Sequence, residues 1–286
     1  MNNHNILIVF VVCVVFSVAY LNVQKRQAKH IETFKGNDKQ GNEPAQLLND
    51  RYHVISWVIN LDKNKDRWAS VHKSYQQSDM TSIPINRFSA VVGSKLNPEV
   101  YLSDEAQEEL KTNEKRGYRT RHYQLSRGGI GCFLSHYELF KKLLQTDNDM
   151  YLVFEDDVAF PKNAQEQLSK AVQDAPKDWD IILFGFSRLH GYKEKETYVK
   201  AMGFWGTGSY AINKRGAMKF IKECDIHKMD AQIDAYMSYL SQTGKLNIYA
   251  VGQRIISTID EGSDIQMYGV KTENDENPFL YKGLTV

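Results

Sequence analysis

Cysteine is scarce. The 286 residues carry 3, and Cys13 falls inside an apolar run, which leaves Cys132 and Cys224 as the soluble thiols. Two thiols do not make a disulfide framework. No Asn-x-Ser/Thr sequon occurs either. Both absences fit a reducing, cytoplasmic location. An excess of one charge is also missing, with 36 Lys+Arg against 35 Asp+Glu. Without a dominant basic stripe, nothing asks for nucleic acid as a partner. The 8 histidines are scattered, with no His-x-His pair, so a metal-dependent phosphohydrolase lacks its usual second cluster. No Gly-Lys-Ser/Thr closes a Walker A loop, and the G-x-G-x-x-G spacing of a dinucleotide site is absent. Ser135 has no nucleophile-elbow context, which disfavours hydrolase chemistry.

One long hydrophobic run is present. Residues 6–23 are nearly all apolar and uncharged. About 18 residues at about 1.5 Å each just span a bilayer core. No charged n-region or clear cleavage site flanks the run, so it reads as an uncleaved transmembrane anchor. Lys25, Arg26 and Lys29 follow it, and the positive-inside rule then puts the bulk of the chain on the cytoplasmic side. Residues 24–50 are polar and read as a stalk. The folded domain is expected over 51–260, with a polar C-terminal tail over 261–286.

Within the domain, strands and helices alternate. His53–Leu61, Ile85–Val92, Met150–Phe154, Asp180–Phe184 and Leu246–Val251 read as strands. Helical spacing marks Lys65–Gln77, a segment capped by Ser103, Ala164–Val172, Lys214–Lys222 and Ala231–Thr243. Ser126–Gly131 reads as a glycine-rich turn that opens a further helix. This alternation predicts an α/β domain with a mostly parallel central sheet flanked by helices.

The most informative local feature is Glu155-Asp156-Asp157, directly after the apolar run Met150–Phe154. Carboxylates are costly to bury unpaired. In open α/β sheets, the crevice beyond the strands' carboxyl ends is where ligands bind. A divalent ion such as Mn²⁺ or Mg²⁺ takes oxygen ligands. By strand alternation, Glu155 and Asp157 share one side and Asp156 takes the other. A solvated acidic loop is the bland alternative. His136 lies beside the buried stripe of its helix and reads on spacing as a hydrogen-bonded structural histidine. Asp230 and Asp234, four apart on a predicted helix, lie on the border of its apolar face. There a carboxylate can deprotonate a hydroxyl, or it can simply edge a solvated helix. Arg67 can meet a phosphate, although surface pairing is the default.

Together these segments resemble glycosyltransferase family 25. The match rests on Val58–Asp62 with Asp66-Arg67, Phe88–Gly93, Gly129–His136, Leu152–Val158 and Gly208–Ala217. The Gly-x-Gly-Cys-x-x-Ser-His block followed by Glu-Asp-Asp is the specific part. The resemblance implies a GT-A-like fold, a UDP-sugar donor and a divalent metal, Mn²⁺ or Mg²⁺. It implies Glu155 and Asp157 as metal ligands, with Asp156 at the diphosphate. Asn60 and Arg67 would lie near the nucleotide, and Gly131, Ser135 and His136 would shape the donor pocket. The expectation is an inverting hexosyltransferase, moving galactose or glucose to a hydroxyl on a glycan, a lipid-linked saccharide or a protein. Its base is placed at Asp234 or Asp230. A non-catalytic, membrane-tethered nucleotide-sugar-binding member is the alternative, and a phosphohydrolase the more distant one.

Overall fold

The structure is a computed structural model that describes residues 47–259. The apolar run at 6–23, most of the stalk and the C-terminal tail lie outside the described residues. Among the described residues, no helix is long and apolar enough to cross a membrane. The folded unit takes in the end of the segment grouped with the stalk. Helix α1, Leu48–Arg51, buries Leu48, whose backbone N–H bonds Ser169 Oγ at 3.1 Å.

From there the elements run β1 (Val54–Asn60), α2 (Lys65–Gln76), β2 (Ile85–Ser89), α3 (Pro98–Tyr101), α4 (Asp104–Arg116), α5 (Arg127–Leu144), β3 (Met150–Glu155) and β4 (Val158–Ala159). They continue with α6 (Ala164–Asp174), β5 (Ile181–Gly185), β6 (Arg188–Lys195), β7 (Tyr198–Trp205), β8 (Ser209–Asn213), α7 (Lys214–Glu223), α8 (Ile233–Gln242), β9 (Ile248–Val251) and β10 (Ser257–Thr258). Eight strands form one sheet in the order β2-β1-β3-β8-β5-β9-β7-β6, and β4 pairs with β10.

The expected mostly parallel sheet is corrected to a mixed one. The pairs β2–β1, β1–β3 and β5–β9 are parallel, while β3–β8, β8–β5, β9–β7 and β7–β6 are antiparallel. The cause is the stretch between β5 and β8. Parallel neighbours need a long crossover, whereas antiparallel strands are joined by a short turn. Here Arg188–Trp205 folds as a hairpin, so β8 is reached without a helix. The β6 strand is exposed along nearly its whole length, so it carries no apolar period for a sequence reading to detect.

Side-chain alternation gives the sheet two cores. On β3, Tyr151 and Val153 enter one cluster, with Phe133, Phe140, Phe220 and Met237 from α5, α7 and α8. Met150, Leu152 and Phe154 enter the other, with Val71, Tyr75 and Leu168 from α2 and α6. The crossover through α2 therefore covers one face, and the one through α5 covers the opposite face. The strand order 2-1-3 makes the carboxyl ends of β1 and β3 a topological switch point, the place where such sheets bind ligands. The register Ile59↔Glu155 puts Asn60 and the acidic triplet there.

Asp180 ties the far end of the sheet together. Fully buried, it accepts from Arg215 Nε at 2.7 Å, Lys219 Nζ at 2.6 Å and the Asn247 backbone N–H at 2.8 Å. Asp180→Ala strips all three donors of their acceptor. The expected cost is about 3 kcal/mol, read as a lower urea midpoint with an unchanged m-value.

Candidate donor-binding cleft

A cleft of about 430 Å³ opens at the switch point, lined among others by Asn64, Arg67, Val91, Gly93, Cys132, Ser135, His136 and all three triplet acids. Strand β3 ends at Glu155, so the expected alternation does not extend through Asp157. The chain turns instead, and all three carboxylates border the same cavity.

Each acid is held differently. Glu155 Oε1 accepts from Thr207 Oγ1 at 2.7 Å and lies 3.7 Å from His136 Nε2. Asp156 accepts from Asn60 Nδ2 at 2.6 Å and from Arg67 at 3.4 Å. Asn60 is itself fixed by Arg87 Nε, which donates to its Oδ1 at 2.7 Å. Burial raises the Asp156 carboxyl above its ordinary value, against the pull of Asn60 and Arg67. Asp157 has no such help on one side: its Oδ1 is buried without a hydrogen-bond partner. Burial, followed by the charges of Glu155 and Asp156, pushes its pKa up to about 7.

An unpartnered buried carboxylate oxygen beside two further carboxylates is costly. It fits a site built to take a cation. The donor set is all oxygen, which suits Mn²⁺ or Mg²⁺.

The glycine block is helix rather than turn. Ser126 caps α5 by accepting the Gly129 N–H at 3.0 Å, and Gly128, Gly129 and Gly131 lie inside the helix. Glycine is needed at two facing positions. A Cβ on Gly131 would lie 2.3 Å from the Val91 carbonyl oxygen, and one on Gly93 would lie 1.8 Å from that of Arg127. The helix is therefore pressed against residues 91–93, which form the cleft wall. Ser135 pins this contact, donating to the Gly131 carbonyl at 2.7 Å and accepting the Val91 N–H at 2.9 Å. His136 is fully buried, with Nδ1 2.6 Å from the Tyr210 hydroxyl.

The two base candidates are not brought together. Helix α8 begins at Ile233, so Asp230 lies in the preceding loop. There it lines a second cavity of about 530 Å³ that shares no lining residue with the first. Asp234 is buried, with Oδ2 3.0 Å from His122 Nε2 and accepting the Gly206 N–H at 2.9 Å. Burial works to raise its pKa, but the His122 interaction and the backbone donors outweigh it and hold the carboxyl below its usual range. Gly206 stands next to Thr207, the partner of Glu155, so residues 206–207 link Asp234 to the triplet.

Several of these residues escaped the sequence reading. Thr207 sits between Gly206, which has φ +88°, and Gly208, and the two glycines are the local signal of that turn. His122 comes from the polar loop 117–126 between α4 and α5 and stacks on Trp205 with ring centroids 4.1 Å apart. Arg188 in turn places its guanidinium 4.3 Å from the Trp205 ring. The Cys132 thiol lines the cleft. Burial, then the charges of Glu155, Asp234 and Asp157, raise its pKa well above the ordinary thiol value.

Comparison with known proteins shows the family. Residues 53–237 match the family described as Glycosyltransferase family 25 (LPS biosynthesis protein). A "Glycosyltransferase 25 family member" of Aedes aegypti is 30% identical over 190 residues, covering 63% of this chain and 30% of the relative. The human "Procollagen galactosyltransferase 2" is 30% identical over 186 residues, 60% of this chain and 28% of the relative. The human "Inactive glycosyltransferase 25 family member 3" is 28% identical over 186 residues, 60% of this chain and 29% of the relative. The chain thus matches less than a third of the length of each of these relatives.

Proposed function

The chain belongs to glycosyltransferase family 25, and from that premise we propose that it transfers a hexose, galactose or glucose, from a UDP-sugar to a hydroxyl acceptor on a glycan, a lipid-linked saccharide or a protein. The observation that carries the reading is the buried, unpartnered Asp157 Oδ1 within three carboxylates at the switch point. Glu155 and Asp157 would hold Mn²⁺ or Mg²⁺. When bound there, the ion neutralises charge on the departing nucleoside diphosphate.

The chain's own groups do the rest. Asn60 and Arg67 orient Asp156 and present donors and positive charge at the nucleotide end. The Gly131–Ser135 contact holds the cleft wall, and His136 stands 3.7 Å from Glu155. For an inverting transfer, Asp234 takes the acceptor proton as the acceptor oxygen attacks the anomeric carbon and the bond to the diphosphate breaks. Asp234 is ionised at neutral pH, as a base must be, although the His122 and backbone hydrogen bonds that lower its pKa also weaken its pull on the acceptor proton. Asp230 is the second candidate. In this reading residues 6–23 anchor the protein in a membrane, with the domain on the cytoplasmic side.

The test is a screen of UDP-sugars against the full chain purified in detergent, with Mn²⁺ and with chelator, reading UDP release and acceptor glycosylation. Metal-dependent transfer from one UDP-hexose supports the reading. UDP-sugar binding without transfer to any acceptor points to a non-catalytic member. Sugar-phosphate release without an acceptor points to a phosphohydrolase.

A further inference from the structure

His136 Nε2 is buried and has no hydrogen-bond partner, in a side chain with no solvent exposure. Buried polar atoms are rarely left so. The ring is not loosely placed, since its other nitrogen is 2.6 Å from the Tyr210 hydroxyl. This is how a metal-ligating histidine is usually held, with the second nitrogen fixed by a neighbour. The orphaned nitrogen faces two further ligand-type atoms. Cys132 lies one helical turn earlier on α5, and Glu155 ends β3. The Cys132 Sγ, His136 Nε2 and Glu155 carboxylate oxygen all lie within 4.8 Å of one another. Glu155 is also steadied from outside, by Thr207.

A thiol, an imidazole and a carboxylate make a different donor set from the neighbouring Asp156 and Asp157. Sulfur and nitrogen select a softer ion such as Zn²⁺, whereas the all-oxygen set suits Mn²⁺ or Mg²⁺. Three protein ligands with the fourth side open to a cleft is an accessible zinc arrangement rather than a closed structural one.

We propose that Cys132, His136 and Glu155 form a Zn²⁺-class site on the floor of the cleft, separate from the hard-ion position but sharing Glu155 with it. Binding takes neutral imidazole and thiolate, so the Cys132 proton leaves to solvent as the metal–sulfur bond forms. Because Glu155 cannot serve both positions fully, Zn²⁺ weakens Mn²⁺ binding. That consequence rests on the function proposed above, whereas the site itself does not.

The test needs no transferase activity. Metal-free full chain is titrated with Co²⁺ as a spectroscopic stand-in for Zn²⁺. One equivalent is expected to give a thiolate-to-cobalt charge-transfer band, which Zn²⁺ abolishes. Cys132→Ser is expected to lose the band while Asp157→Asn keeps it, both with melting curves showing a folded protein. Alkylation of the wild-type chain, followed by peptide mass spectrometry, gives a second readout that does not depend on any variant. Zn²⁺ is expected to slow modification of Cys132 at least about tenfold, which corresponds to about 1.4 kcal/mol of protection, and to leave Cys224 unchanged. Absence of the band from wild type, its persistence in Cys132→Ser, or unchanged Cys132 alkylation in Zn²⁺ would each overturn the site. A failed UDP-sugar screen with an intact cobalt band would sink the transferase reading and leave the site standing.

Discussion

Asp157→Asn is expected to lower transfer by about 10³-fold while raising the melting temperature of the metal-free protein by a few degrees. The two effects have one cause. In the folded chain Asp157 is crowded by Glu155 and Asp156, and one of its oxygens is buried without a partner. Asn keeps the shape and removes the charge. Relief of like-charge repulsion is about 1–2 kcal/mol at an effective dielectric near 20, which corresponds to a few degrees in a domain of this size.

The pH dependence has a definite sign. Asp157 has a folded pKa of about 7 against an ordinary value of 3.8. Between those values the folded state binds more protons than the unfolded state, so stability from this group falls as pH rises. Metal-free wild type should therefore lose stability between about pH 4 and pH 7 relative to Asp157→Asn. Melting curves of both proteins across that window check it. A variant that melts lower than wild type at pH 8 would contradict the electrostatic account of the triplet.

Gly131→Ala is expected to cost about 3 kcal/mol or more, or about 10 °C in melting temperature. Two effects compete at this position. Alanine gains about 1 kcal/mol of helix propensity over glycine. Against that, the new Cβ would lie 2.3 Å from the Val91 carbonyl oxygen and 2.7 Å from the Gly93 backbone nitrogen. Backbone cannot step aside as the end of a flexible side chain does, so the clash wins. The wall of the cleft must move away from α5, taking the Ser135–Val91 hydrogen bond with it. Gly129→Ala is the control. Its Cβ would meet nothing closer than 3.4 Å, and the atoms nearest to it are side chains. A small effect at Gly129 beside a large one at Gly131 separates close approach from loss of helix-capping geometry. Equal effects at both would contradict the packing argument.

The acidic triplet was legible because its strand is apolar at every position before it ends, so charge at that point had to be explained. The helices α2, α4, α6 and α7 were legible from period and caps, with Ser103 accepting the Ala106 N–H as a capping residue should. The β6–β7 hairpin was not, because β6 is exposed at every position but Leu189 and so shows no apolar alternation. The glycine block misled in a different way. Glycines at a helix start resemble a turn, and only the facing Val91–Gly93 backbone shows why a helix tolerates them. Asp234 read as a border residue by helical spacing, yet it is buried, and His122 reaches it from a polar loop more than 100 positions away in sequence. Pairings of that range leave no local signal. The Zn²⁺-type cluster was invisible for the same reason. Cys132 and His136 are close in sequence, but Glu155 meets them only because β3 ends beneath α5.

The most direct measurement of the central claim is calorimetric titration of UDP into the full chain, with Mn²⁺ and with chelator, for wild type and Asp157→Asn. The account predicts saturable binding to wild type that needs Mn²⁺ and is lost in the variant, while the variant stays folded. UDP binding of equal strength with chelator present, or undiminished in folded Asp157→Asn, would contradict the assignment of the triplet to a metal-bound diphosphate.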